Sequence, residues 1–135
     1  MVANMKILVI DDEEEMRTIL ADAIRQSPLY GNKVGIDFAE DGKRALSFSD
    51  ESKYDLIVTD YLMPNLNGIE YLEILRKPEA VNQHTPVICV SGYLPKIDAD
   101  ISEAILEKVF FLEKPYDDHK LDRLIKLALA ARLIA

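Results

Sequence analysis

Apolar positions along this chain follow two alternating patterns. Short runs that are hydrophobic at consecutive positions (Ile7-Leu8-Val9-Ile10, Leu56-Ile57-Val58, Val87-Ile88-Cys89-Val90, Val109-Phe110-Phe111-Leu112) predict strands buried on both faces, as in parallel sheets. Between them, apolar residues recur at helical spacing. Met16, Ile19, Leu20, Ala23 and Ile24 predict a helix after Asp12 that ends near Ser27-Pro28. Asp41 is a good cap for a short helix carrying Ala45 and Leu46. Ile69, Leu72 and Leu75 predict a third helix, stopped before Pro78. Ile97, Ile101, Ala104 and Ile105 predict a fourth, and Leu121, Leu124, Ile125 and Ala128 a fifth, capped by Asp117. Val34, Ile36 and Phe38 instead alternate with Lys33, Gly35 and Asp37, a strand with one polar face that suits a sheet edge. Five strands and five helices in strict alternation predict an α/β fold, a single doubly wound five-stranded parallel sheet. Right-handed crossovers in the order 2-1-3-4-5 put strand two at an edge.

Length and composition narrow the picture. The 135 residues suffice for one domain, and no Gly-, Ser- or Pro-rich linker divides them, so 1–135 is expected to be one domain with no output domain. A formal net charge of -8 disfavours direct binding to nucleic acid or to an anionic membrane and suits a cation or a basic partner surface. No apolar run approaches the ~20 residues of a membrane span, and the first residues lack a secretory pattern. The single cysteine, Cys89, rules out an internal disulfide and reads as a small buried hydrophobe, compatible with a cytoplasmic setting. His84 and His119 have no metal-ligand spacing and receive no role.

The chemistry lies where the apolar runs stop. The first ends in Asp11-Asp12, the second in Thr59-Asp60, the third in Ser91-Gly92 and the fourth in Glu113-Lys114. Ligands of open α/β sheets sit beyond the carboxyl ends of the strands, so three carboxylates, a hydroxyl and an ammonium group are expected to converge. Glu13, Glu14 and Glu15 are adequately explained by a helix N-terminus. Asp11 and Asp12 are not, because adjacent acids at a strand end repel each other unless a cation holds them, and Mg²⁺ takes oxygen ligands of this kind. Asp60 is a candidate metal ligand, nucleophile, or both. Singly, Ser91-Gly92 is also an ordinary turn, with Gly92 leaving room beside the hydroxyl, and Lys114 is also an ordinary exposed lysine. Lys114-Pro115 is a candidate cis peptide. Together the set describes metal-assisted phosphoryl transfer.

Over nearly its whole length the chain resembles the receiver domain of two-component response regulators. The residues that carry the resemblance are Asp11-Asp12, the segment Asp60-Tyr61-Leu62-Met63-Pro64-Asn65-Leu66-Asn67-Gly68, Ser91-Gly92 and Lys114-Pro115. The resemblance implies a flavodoxin-like fold with the same strand order. It implies Asp60 as phosphoacceptor, and a Mg²⁺ site of Asp11, Asp12, Asp60 and the backbone carbonyl of Leu62. It further implies Ser91 as switch hydroxyl, Lys114 as phosphate contact and Phe111 as switch aromatic, where the family often has Tyr. The partners implied are a sensor histidine kinase or phosphotransfer protein, which donates the phosphoryl group, and a downstream protein controlled by the face of the fourth helix, fifth strand and fifth helix. The chain is then a signalling switch, a monomer or weak dimer, and not a turnover enzyme. Leu62 and Tyr93, two residues beyond Asp60 and Ser91, give no evident help to an attacking water, so slow to moderate self-dephosphorylation is expected. Leu127, Leu129, Leu133 and Ile134 extend the apolar surface of the last helix, as packing or as a contact face. Three rivals stand beside this reading. An Asp-nucleophile phosphatase of haloacid-dehalogenase type needs a second Asp two residues after the first, where Glu13 stands. A flavin or nucleotide module needs a Gly-rich or hydroxyl-rich first loop. A receiver cut from a longer DNA-binding regulator keeps the same chemistry.

Overall fold

The computed structural model describes residues 5–26, 33–63, 65–92 and 102–134. Its elements are β1 (Met5–Ile10), α1 (Glu14–Arg25), β2 (Val34–Ala39), α2 (Gly42–Glu51), β3 (Leu56–Asp60), α3 (Gly68–Leu75), β4 (Val87–Ser91), β5 (Val109–Glu113) and α4 (Asp118–Ala131). All neighbouring strands are parallel and the sheet order is β2-β1-β3-β4-β5. The predicted order and the edge position of the second strand are both observed.

The consecutive apolar runs are explained by two cores, one on each face. Ile7 and Val9 of β1, Leu56 and Val58 of β3, and Ile88 and Val90 of β4 pack with Leu20 and Ile24 of α1 and with Leu121, Ile125 and Ala128 of α4. The alternate residues Leu8, Ile10, Ile57, Val87 and Cys89 pack with Ala45 of α2 and with Tyr71, Leu72 and Leu75 of α3. Each such aliphatic side chain contributes about 1.5–3 kcal/mol by leaving water. Cys89 is buried, as expected for a small hydrophobe.

Four helices stand among the described residues where five were expected. Of the expected fourth helix, Ile97 and Ile101 lie outside the described residues, while Ala104 and Ile105 lie in turns spanning 103–108. The first helix ends at Arg25, capped by Gln26, slightly ahead of Ser27-Pro28. The capping expectations hold: the Asp41 carboxylate accepts from the Arg44 amide and the Asp117 carboxylate from the Lys120 amide. On β2, Val34 and Ile36 pack on the α1/α4 side, but Phe38, at the strand's end, is exposed. Asp37 is not simply solvated, because it accepts the Tyr54 hydroxyl at 2.7 Å.

At the amino ends of the strands a buried amide organises the loops. The Asn82 amide nitrogen donates to the carbonyls of Ser49 and Ser52, and its oxygen accepts from the Tyr54 amide and the Thr85 hydroxyl. Arg76 adds bonds to the carbonyls of Asn82, Gln83 and Glu107. Truncating Asn82 leaves several of these buried groups without a partner, at ~1–3 kcal/mol for each one left unsatisfied. Asn82→Ala is therefore expected to lower the unfolding free energy by at least about 2 kcal/mol in urea titration; a loss below about 0.5 kcal/mol, the range of surface substitutions, would contradict this account of the loops.

Candidate functional site

The site forms at the carboxyl ends of β1, β3, β4 and β5. Ile10 lies opposite Thr59 in the β1–β3 register, which sets Asp11 beside Asp60. Ser91 lies opposite Glu113 in the β4–β5 register, one residue before Lys114. Carboxylate oxygens of Asp11, Asp12 and Asp60 all lie within 4.8 Å of one another. The sheet thus brings the Asp11, Asp12 and Asp60 carboxylates together, with Ser91 and Lys114 at the ends of the adjoining strands.

Each side chain is held by local structure. Asp11 is only 3% exposed. Its amide donates to the Ala39 carbonyl of the neighbouring strand at 3.1 Å, and its carboxylate accepts from the Glu13 amide at 2.9 Å. Asp12 is exposed at the mouth. The loop after Asp60 is built residue by residue. The Thr59 hydroxyl donates to the Asp60 carbonyl at 2.9 Å, and the Leu62 amide donates to the Asp60 carboxylate at 3.3 Å. Asn65 takes a positive φ of 69°, a conformation that asparagine tolerates better than most residues. Asn67 then caps α3 through a reciprocal pair with Glu70. Gly68 has a steric reason, since a Cβ there would stand 2.8 Å from the Tyr61 ring. Ser91 is buried at 2% exposure, and its carbonyl accepts from the Lys114 amide at 2.6 Å. A Cβ at Gly92 meets no described atom within 4 Å, so the space there is not owed to the glycine alone. The Lys114–Pro115 peptide is cis. Phe111 is half-buried against the α2/α3 core. Leu62 is exposed at the rim, and Tyr93 lies outside the described residues.

The electrostatics follow from crowding like charges in a partly desolvated pocket. Burial pushes Asp11 up to about 6; the Glu13 amide opposes this, Asp60 adds to it, and the Lys114 ammonium lowers it. Burial also raises Asp60, against the lowering effects of Lys114 and of the Leu62 amide. A hard divalent cation fits this donor set, because it removes the repulsion that burial strengthens. Asp11, Asp12 and Asp60 are the residues that could hold it. One side chain here carried no expectation from sequence: Arg17 of α1 donates to the main-chain carbonyl of Asp11 at 2.7 Å. An arginine on an acidic, amphipathic helix gives no signal of such a reach.

Comparison with known proteins agrees with the geometry. The sequence profile of the response regulator receiver domain matches residues 7–126. The chain belongs to the response regulator receiver domain family. This receiver is 39% identical over 113 residues to the protein-glutamate methylesterase/protein-glutamine glutaminase of Thermotoga maritima, covering 83% of this chain and 31% of that protein. It is 34% identical over 89 residues to the chemotaxis protein CheY-3 of Vibrio cholerae, covering 66% of this chain and 65% of that one. With the transcriptional regulatory protein CpxR of Escherichia coli the identity is 31% over 116 residues, 86% of this chain and 45% of CpxR. The receiver thus spans about a third to two thirds of these relatives. Among solved structures, a response regulator receiver domain protein of Methanospirillum hungatei has a TM-score of 0.79 at 20% identity, covering 96% of this chain and 97% of that one. The receiver domain of sensor histidine kinase PA1611 of Pseudomonas aeruginosa, solved with a magnesium ion coordinated in its active site cleft, has a TM-score of 0.75 at 20% identity, covering 95% and 99%. Like its family, this chain is a receiver in two-component signalling, and no helix among the described residues is long and apolar enough to cross a membrane.

The raised Asp11 value carries a sign. Between the ordinary 3.8 and about 6 the folded protein binds more protons than the unfolded chain. The carboxylate's destabilising effect is therefore complete above about pH 6 and absent below about pH 4. Without metal, Asp11→Asn is expected to stabilise the protein at pH 7.5 by on the order of 2 kcal/mol, a gain that fades toward pH 4. Thermal melts in chelator across this range check it; a variant less stable than wild type at pH 7.5 would contradict a net cost of burying the Asp11 carboxylate.

Proposed function

We propose that this receiver is a phosphorylation-controlled switch that takes a phosphoryl group onto Asp60 from a phosphohistidine of a sensor kinase or phosphotransfer protein. The observation that carries the reading is the juxtaposition of the Asp11, Asp12 and Asp60 carboxylates at one strand-end pocket under the influence of the Lys114 ammonium. A carboxylate oxygen of Asp60 attacks phosphorus, the phosphorus–nitrogen bond of the donor breaks, and the departing imidazole keeps the electron pair and takes up a proton. An acyl phosphate results. Attack brings an anion toward a dianionic phosphoryl group, so the main barrier the protein can lower is electrostatic. Lys114 supplies one positive charge to the phosphoryl oxygens. Asp11, Asp12, Asp60 and the backbone carbonyl of Leu62 would hold Mg²⁺, which would supply further positive charge to the phosphoryl oxygens. The Glu13 and Leu62 amides orient the acceptor and its neighbour by occupying one oxygen of each.

The new phosphoryl group draws the Ser91 hydroxyl toward it, and Phe111, half-buried on the adjacent strand, turns inward. The surface around β5 and α4 then differs between the two states, and a downstream protein reads the difference. Phe111 lacks a hydroxyl, so the ring acts by packing alone. The chain works in the cytoplasm as a monomer or weak dimer, without direct contact to nucleic acid, and turns over no external substrate. A second reading, a receiver that governs an attached output unit, is favoured by the 45% of CpxR that the chain spans; it leaves the chemistry unchanged.

Incubation with Mg²⁺ and acetyl phosphate is expected to add the mass of one phosphoryl group. Asp60→Asn should abolish the addition, and Lys114→Met should slow it by about 10²-fold or more, as for loss of one charge-stabilising group. An unmodified wild-type mass, or full labelling of the Asp60 variant, would overturn the assignment. Once formed, the acyl phosphate is expected to turn over slowly to moderately, because Leu62 is apolar and Tyr93 bulky and neither is an evident helper for an attacking water. A lifetime of seconds, followed by acid-urea gel, would contradict this.

A further inference from the structure

The candidate cation ligands sit on a three-residue turn between β1 and α1, and one long side chain reaches back to that turn. Arg17, one turn into α1, donates from a guanidinium nitrogen to the Asp11 carbonyl at 2.7 Å, while its own amide donates to the Glu13 carbonyl at 3.1 Å. On the other side, the Asp11 amide is bound to Ala39 of β2. The peptide planes flanking Asp11 are thereby held from both ends, and the plane between Asp11 and Asp12 sets where both carboxylates point. The arginine bond goes to the main chain, so it leaves the carboxylate oxygens to other partners. A charge-assisted bond of this length is roughly twice as strong as a neutral one.

We propose that Arg17 is a positioning residue of the cation site: it fixes the Asp11–Asp12 peptide so that both carboxylates face Asp60. This rests on the reading of Asp11, Asp12 and Asp60 as the Mg²⁺ site. Partners that orient metal ligands typically change affinity by about 10–100-fold when removed. A bond from outside the carboxylate set acts on the geometry of the ligands and not on the attack itself. Its loss should therefore raise the Mg²⁺ concentration needed and leave the rate at saturating Mg²⁺ nearly unchanged.

The test is Mg²⁺ titration of the whole chain, followed by amide NMR, for wild type, Arg17→Met and Arg17→Gln. Arg17→Met is expected to weaken Mg²⁺ binding about tenfold or more. Arg17→Gln, which keeps a donor amide at shorter reach, should fall between the two. Labelling by acetyl phosphate should recover to within about twofold of wild type once Mg²⁺ saturates each protein. Melting in chelator reports the purely structural contribution separately, and Arg17→Gln carries the test if Arg17→Met fails to fold. If wild type binds Mg²⁺ and the folded variants bind it equally well, Arg17 serves α1 alone and the inference is wrong. If wild type binds none, the cation reading itself fails and takes the inference with it.

Discussion

Three carboxylates held within 4.8 Å of one another at the end of a parallel sheet are the constraint around which this molecule is arranged. Burial is the main cause of the upward shift of Asp11 to about 6, and the neighbouring Asp60 carboxylate adds to it, so the charged pocket opposes folding. The fold supports the cost from elsewhere. Two apolar cores clamp the sheet from both faces. The Asn82 and Arg76 bonds gather the loops at the opposite end of the sheet. What that end gains is a pocket of clustered carboxylates whose negative charge a divalent cation can offset.

Most of the architecture was legible because buried parallel strands write themselves as consecutive apolar residues. The runs at 7–10, 56–58, 87–90 and 109–112 match β1, β3, β4 and β5, and their last polar residues meet at one end because parallel strands share a direction. The edge strand was legible from its alternation, though Phe38 remains exposed while Val34 and Ile36 pack against the core. Leu129 proved to be core, whereas Leu127, Leu133 and Ile134 stay exposed.

Other features leave no periodic trace. Asn82 looks like an ordinary loop polar residue, and Arg76 like the end of an amphipathic helix, yet both are buried with their polar atoms bonded mainly to main-chain groups. Arg17 is likewise invisible to pattern, since only the three-dimensional turn shows that it can touch Asp11. Side-chain to backbone bonds of this kind depend on the three-dimensional course of the turns and loops, and residue type alone does not encode that. The role of Gly68 also needed the structure: sequence marks it as part of a family segment, and the Tyr61 ring supplies the reason.

The most direct test of the central claim is a crystal structure grown with Mg²⁺ and beryllofluoride, a mimic of an aspartyl phosphate. The account predicts a cation about 2.0–2.1 Å from carboxylate oxygens of the Asp11, Asp12 and Asp60 set. It also predicts beryllium bonded to Asp60, with the Lys114 ammonium and the Ser91 hydroxyl on its fluorides. A cation seated elsewhere, or beryllofluoride on a different side chain, would contradict it.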